Sequence, residues 1–260
     1  IASFMAVNSL GAVWSCCSPD FGIESIANRF EQLKPGILLA HKRYSYNGKD
    51  YIQEKKIKEL QIRLPSIKKT IVFDSTFDSW NLNSNYWIDF EFVSVKFDHP
   101  IWVLFSSGTT GKPKAITHGT GGMLLEQYKS HSLHQNIMNG DRFFWNTTTG
   151  WMMWNYAIGS FLCGATLCLY DGSANFPDVG VQWRFAKDAK INHFGNGSPL
   201  FIASMKQNCK DVSNENLKFI KTIGATGSPL SIEAFKWLQK KLPSTQIISL
   251  SGGTDVCSAF

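Results

Sequence analysis

Ile101-Trp102-Val103-Leu104-Phe105-Ser106-Ser107-Gly108-Thr109-Thr110-Gly111-Lys112-Pro113-Lys114 begins as an apolar run of the kind a buried strand needs and then changes character. From Ser106 to Gly111 there are four hydroxyl residues and two glycines in six positions, too small and polar to build a core. Such a loop can wrap an anion: glycine lets backbone N–H groups approach phosphate oxygens closely, and hydroxyls add donors without bulk. Lys112 and Lys114 place positive charge beside it, Pro113 restricts how the chain leaves, and Ala115-Ile116-Thr117-His118 reads as a return strand. A plain Ser/Gly-rich surface loop is the bland alternative, and the preceding strand and following lysines count against it. The Walker loop, G-x-x-x-x-G-K-[ST], does not fit, because Gly108 and Gly111 are too close and Pro113 stands at the Ser/Thr position.

Working outward, β- and α-type patterns alternate. Helices are expected over residues 1–10, 23–33, 51–64, 121–137, 151–163, 181–190, 199–207 and 231–241. Strands are expected over 12–15, 37–40, 70–73, 142–145, 165–170, from 193, over 217–223 and over 246–250, with 74–92 a loop. The alternation argues for an α/β fold, helices packed on mostly parallel sheets. Two further apolar strands run into glycine and hydroxyl residues, at Gly224-Ala225-Thr226-Gly227-Ser228-Pro229 and Ser251-Gly252-Gly253-Thr254-Asp255. Loops after strands are where open α/β sheets bind nucleotides, so three such loops suggest one composite nucleotide site. Taken alone, Gly224–Pro229 is equally a strand-to-helix turn with a Ser cap, and Asp255 an ordinary helix-capping acid.

Composition narrows the class. With 43% hydrophobic and 18% charged residues the 260-residue chain is globular rather than disordered. A net charge of +6 from dispersed lysines argues against a nucleic-acid groove, while suiting polyanionic small molecules. The six cysteines show no zinc spacing, and the vicinal Cys16-Cys17 pair cannot easily bridge to itself. Reduced thiols and a cytosolic location are expected. No apolar run is long enough to span a membrane. His118, His131 and His134 invite metal or base roles, but core and surface histidines are far commoner, and none is assigned one.

Ser106 to Lys114 resembles the phosphate loop of the adenylate-forming superfamily over all nine positions. The resemblance implies that Ser106, Ser107, Gly108, Thr109, Thr110, Gly111 and Lys112 hold ATP phosphates, with Lys114 taking part in catalysis. It implies that Gly227, Ser228 and Pro229 cradle adenine and the α-phosphate, that Thr254 meets the α-phosphate, and that Asp255 helps hold Mg²⁺. The superfamily carries Glu at that last place, so the shorter Asp255 is expected to reach the ion through a water. Thr149 to Asn155 resembles the segment lining the acyl pocket, through Trp151 and Met152, although Trp and Met on a helix are as readily core. Gly252 stands where acetate-activating relatives carry a Trp, so a roomier acyl pocket is expected. Together with Gly11 to Gly22 and Ile116 to Gly122, these segments resemble the branch that activates acetoacetate, with Phe21 and Gly22 where coenzyme A lies.

The resemblance therefore implies a ligase joining acetoacetate to coenzyme A through an acyl-adenylate. Another short-chain acyl-CoA synthetase, for acetate or propionate, and a non-catalytic nucleotide-binding piece remain open. Oligomeric state is not legible. The chain begins at Ile1 inside an apolar segment, and the superfamily's ribose-gripping Asp, hinge and C-terminal lid lysine are not found after Asp255. It thus reads as residues 1–260 of a larger N-terminal core domain, and alone it is expected to form thioester far more slowly than the full-length enzyme.

Overall fold

A computed structural model describes residues 1–73, 91–106 and 111–260. The chain divides into two compact units, Ile1–Thr117 and His118–Phe260. The first contains α1 (Ala2–Ser9), α2 (Ile23–Leu33), β1 (Ile37–His41), β2 (Arg43–Tyr46), β3 (Lys49–Ile52), α3 (Glu54–Arg63), β4 (Lys69–Phe73), β5 (Pro100–Ser106) and β6 (Lys114–Gly119), whose last two residues belong to the second unit. β1 and β4 pair in parallel, and β5 pairs with β6. The apolar stripe of α2, Ile26, Ala27 and Phe30, packs with Leu38, Leu60 and Leu64.

Two expectations change in this unit. The expected strand over 12–15 is a single bridge, in which Trp14 N–H donates to the Ile101 carbonyl and Val103 N–H to that of Trp14. The helix expected from Tyr51 starts at Glu54, because β2 and β3 form an antiparallel hairpin around Asn47-Gly48. Both turn residues have positive φ, 51° and 71°, the left-handed geometry that two-residue hairpins require.

The second unit contains α4 (Thr120–Lys129), a π-turn over Ser130–His134, β7 (Arg142–Trp145), α5 (Met152–Gly159), a 3₁₀ turn over Ser160–Cys163, β8 (Thr166–Leu167), α6 (Val181–Asp188), β9 (His193–Gly197), α7 (Ser198–Lys206), β10 (Thr222–Thr226), α8 (Ile232–Lys241), β11 (Gln246–Ser249), β12 (Gly252–Gly253) and β13 (Ser258–Ala259). Its sheet runs β11-β10-β9-β7-β8, every pair parallel. Phe144, Trp183, Phe194 and Phe201 form an aromatic core on one part of it, with Trp183 stacked on Phe194 at 4.6 Å between ring centres. The strand expected at 217–223 lies at 222–226 instead. Leu217 and Ile220 are buried from turns, so their apolarity served the core and not a strand. The helix expected to Ile137 loosens into the π-turn at Ser130, where His131 Nδ1–H donates to the Gln127 carbonyl at 2.7 Å.

Thr222, His193 and Asp141 line up as hydroxyl, imidazole and carboxylate: His193 Nδ1 is 2.7 Å from Thr222 Oγ1 and Nε2 is 2.9 Å from Asp141 Oδ2. The row resembles a hydrolytic relay, but it sits at the N-terminal ends of β7, β9 and β10, and all three residues are buried. It joins strand beginnings. Burial by itself would raise the Asp141 carboxyl; the Lys221 ammonium, 2.7 Å away, and His193 reverse that and hold it below the usual range.

His131 gives the unit an acid sensitivity. Burial pushes its imidazole down to about 4, outweighing the bond to the Gln127 backbone that favours the charged ring. The unfolded chain protonates this residue below about pH 6.5 while the folded chain does not, so stability falls as pH drops from about 6.5 to 4, by at most about 3 kcal/mol. Urea unfolding at pH 7, 6 and 5 should show this loss, and His131→Gln should flatten the difference between the curves.

Candidate active site

Because β7, β9, β10 and β11 are parallel, the segments that follow them all leave from one edge of the sheet. The order β8-β7-β9-β10-β11 sends the chain from β7 outward to β8 and then back across to β9, so the connections diverge between β7 and β9. A crevice at such a divergence, beyond the carboxyl ends of the strands, is the usual ligand position in open α/β sheets. Three carboxamides lie where the connections diverge, with Gln182 and Asn196 buried and Asn146 half-buried. Gln182 Nε2 donates to Asn146 Oδ1 at 2.8 Å, Asn146 Nδ2 to Asn196 Oδ1 at 3.3 Å, and Asn196 Nδ2 to Gln182 Oε1 at 2.6 Å. Each amide gives one bond and takes one within the ring.

β10 ends at Thr226, and the loop proper begins at Gly227. Gly224 belongs to the strand interior: a Cβ there would lie 2.5 Å from the Trp145 ring, and one at Gly195 2.1 Å. Those two glycines make room for an indole. Gly227 differs, with φ +82° and nothing within 4 Å of a would-be Cβ, so its backbone is open to a ligand. Ser198 Oγ donates to the Ser228 carbonyl at 2.6 Å, and Ser231 caps α8 by accepting from Ala234 N–H. Gly227, Ser228 and Pro229 are all exposed.

The neighbouring loop follows β11. Thr226 Oγ1 donates to the Leu250 carbonyl at 3.1 Å and ties the two loops together where they leave the sheet. β12 and β13 then form a tight hairpin, with Thr254 and Asp255 on the turn between them. Thr254 is half-buried and Asp255 exposed. Gly252, where a roomier acyl pocket is expected, lies against the facing strand of its hairpin. A Cβ at that position would lie 2.1 Å from the Ser258 carbonyl oxygen, so the hairpin's own backbone fills the place of a side chain.

Two buried side chains hold this turn from beneath. His118 Nε2 lies 3.1 Å from the Asp255 carbonyl oxygen, and Gln127 Nε2 donates to the Cys257 carbonyl at 2.6 Å. Neither was singled out for a role from sequence. The readable signal for Gln127 is its place four residues after Met123 on the buried stripe of α4, where an apolar residue would be ordinary.

Trp151 caps the start of α5, which follows β7. Its side chain is 63% exposed, whereas Met153 carries the core packing expected of an apolar helix and Met152 lies at that core's margin. The reading of Trp151 as plain core therefore fails, and it stands on the surface beyond the strand ends.

In the first unit, Ser106 closes β5 and Lys114 opens β6, while Gly111 and Lys112 are exposed. Lys112 Nζ is 3.9 Å from Glu31. Ser107, Gly108, Thr109 and Thr110 lie outside the described residues. Phe21 packs beside the core of α2 with the Arg29 guanidinium 5.1 Å from its ring centre, and Gly22 is the N-cap of α2. Among the described residues no group of three or more His, Cys, Asp or Glu is arranged to hold a metal, and no helix is long and apolar enough to cross a membrane.

The AMP-binding enzyme family model matches residues 1–260. The chain is similar to the acetoacetyl-CoA synthetase of Gallus gallus, 35% identical, and to the acetoacetyl-coenzyme A synthetase of Rhizobium meliloti, 37% identical; each match covers 100% of this chain and 42% of the relative. Among solved structures it is similar to the acetoacetyl-CoA synthetase from Streptomyces lividans, with a TM-score of 0.93 and 38% identity over 99% of this chain and 42% of that one. The chain thus spans about two fifths of the length of these relatives.

The hairpin geometry gives a direct test. Gly252→Ala should lower thermal stability by about 3 kcal/mol, the scale of an overpacked site with backbone on both sides. Gly253→Ala, with open space at its Cβ position, should cost less than half as much. Equal effects in paired denaturation curves would remove the close-approach argument.

Proposed function

The chain belongs to the AMP-binding enzyme family, and on that premise we propose that it carries much of the adenylate-forming site of an enzyme that ligates acetoacetate to coenzyme A. The observation that carries this reading is the common exit of the Gly227–Pro229 and Thr254–Asp255 turns from adjacent parallel strands, tied by the Thr226–Leu250 bond. The acid is inferred from the names of the relatives, which are acetoacetyl-CoA synthetases. Residues 1–260 would be part of the large N-terminal domain.

In the first half-reaction a carboxylate oxygen of the acid attacks the α-phosphorus of ATP. The bond from that phosphorus to the bridging oxygen breaks, and pyrophosphate leaves with the electron pair. In the second, the coenzyme A sulfur attacks the acyl carbon and AMP departs. The chain's own part is electrostatic and positional. Ser106, Ser107, Gly108, Thr109, Thr110 and Gly111 would donate to the β- and γ-phosphates, and Lys112 and Lys114 would offset the charge of the departing pyrophosphate. The open backbone at Gly227 and Ser228, with Pro229, would border adenine and the α-phosphate. Thr254 would donate its hydroxyl to the α-phosphate as charge builds on it; one such donor is typically worth about 3 kcal/mol.

Asp255 fits a Mg²⁺ role in one respect: the ion commonly takes one or two carboxylates and completes its shell with water and substrate phosphates, so a single exposed acid on the turn is a sufficient donor. Bound there, Mg²⁺ would neutralise phosphate charge. Trp151 and Met152 would border the acyl group, with Gly252 contributing backbone rather than space. Phe21 and Gly22 would lie near the coenzyme A nucleotide. The vicinal Cys16-Cys17 pair and the four scattered cysteines fit a reducing compartment such as the cytosol. The partners are small molecules, and no nucleic acid is implied.

Pyrophosphate exchange by the full-length protein should be fastest with acetoacetate, against acetate, propionate and butyrate. Thr254→Val should slow exchange by about 10²-fold with little change in the KM for acetoacetate. Equal rates across the acids would defeat the substrate assignment, and ATP binding without exchange for any acid would favour a non-catalytic nucleotide-binding role.

A further inference from the structure

The turn that carries Thr254 and Asp255 is backbone-strained and externally held. Cys257, which closes it, has φ +48°, a left-handed conformation that costs a non-glycine residue about 1–2 kcal/mol. Such a conformation persists where its surroundings over-determine it. Three hydrogen bonds do so here. Cys257 N–H donates to the Gly253 carbonyl at 3.0 Å within the hairpin. From outside it, Gln127 donates to the Cys257 carbonyl, and His118 to the Asp255 carbonyl. A carbonyl only accepts, so the His118 proton on this bond resides on Nε2.

Both holding side chains are buried, His118 at 6% and Gln127 at 2% exposure. Each also keeps a second polar atom, His118 Nδ1 and Gln127 Oε1, with no hydrogen-bond partner among the described residues. A buried polar atom left unpaired costs about 1–3 kcal/mol, a cost that each side chain carries against its one bond to the turn. What an apolar side chain cannot supply is an N–H aimed at the turn's carbonyls. Gly252 completes the restraint from the other side, because its hairpin backbone is already in contact with Ser258 and cannot move closer.

The geometry points to His118 and Gln127 as positioning residues that set the orientation of Thr254 and Asp255, and through Asp255 the grip on the divalent cation. The bond to the Asp255 carbonyl fixes the peptide plane between Asp255 and Val256, the Cys257 N–H bond fixes that between Val256 and Cys257, and the bond from Gln127 fixes that between Cys257 and Ser258, so the backbone from which the Asp255 carboxylate leaves the turn is held. Neither residue touches substrate. The inference rests on the proposed adenylate-forming role for its catalytic consequence, but the restraint on the turn does not.

The experiment uses the full-length protein with four variants: His118→Leu, Gln127→Leu, His118→Gln, whose amide can present a donor in place of Nε2, and the double Leu variant. Each Leu variant should raise the Mg²⁺ concentration for half-maximal pyrophosphate exchange by about tenfold. It should also lower kcat by about 10²-fold while the KM for the acid stays within twofold. His118→Gln should recover most of both losses. Hydrogen–deuterium exchange over residues 252–259 should accelerate in the Leu variants and return towards wild type in His118→Gln. Unchanged exchange there, or a stability loss with no shift in Mg²⁺ dependence, or His118→Gln as impaired as His118→Leu, would overturn the inference. If instead exchange over 252–259 responds as described while the wild type activates no acid, the restraint stands and the ligase reading falls.

Discussion

Parallel pairing of β10 with β11 is the constraint from which the rest of the candidate site follows. In a parallel pair both strands run the same way, so whatever follows them must leave from the same edge, about 5 Å apart. Here the register Thr222↔Gln246 to Ala225↔Ser249 brings the two strands to that edge almost level. Gly227 and the segment that leads to Thr254 therefore leave the sheet side by side without any side chain having to recruit them. β9 and β7 continue the same logic, and where the connections between them diverge the Asn146, Gln182 and Asn196 amides close into a hydrogen-bonded ring. Charge developing on a bound phosphate would meet groups whose directions were set when the sheet formed, the condition under which hydrogen-bond donors stabilise a transition state most.

Glycines show how closely that arrangement is fitted, because the same residue type answers three different demands. Gly195 and Gly224 lie under the Trp145 ring, where any Cβ would collide with the indole. Gly252 lies against the carbonyl of Ser258, so the hairpin can close only without a side chain there. Gly227 alone among these four combines a positive φ with open space, the combination that leaves backbone accessible to a ligand. Polar side chains divide in a similar way. The Thr222–His193–Asp141 row has the spacing of a proton relay but no access, and it serves the N-terminal edge. His118 and Gln127, by contrast, are buried yet bonded to the turn that carries Thr254 and Asp255.

Several features were legible in the sequence because they depend on local chemistry. The alternation of apolar strands and amphipathic helices was enough for an α/β class, and α2, α6 and α8 stand where their apolar spacing puts them. The glycine and hydroxyl runs after apolar stretches marked the loops. The Asn47-Gly48 hairpin was also written plainly, but the basic helical stripe that follows drew the helix start too early. Leu217 and Ile220 misled in the opposite sense: burial from a turn and burial from a strand demand the same apolarity, and composition does not distinguish them. The full-length kinship with acetoacetyl-CoA synthetases extends the reading from class to family, over a span that is 42% of those relatives.

What the amino-acid sequence determined by itself was the kind of groups available and the strand ends that present them, since small residues, hydroxyls and lysines declare their chemistry wherever they are placed. What only the tertiary structure decided was which of those groups face outward and which spaces are real. Gly224 belongs to the core because an indole from a different strand lies over it. Gly252 has no space for a Cβ because the chain folds back on it, and His118 and Gln127 matter because two carbonyls more than a hundred residues later come within reach of them. Each of these depends on long-range contact, and contact between distant residues is the one property that a local pattern of residue types does not carry.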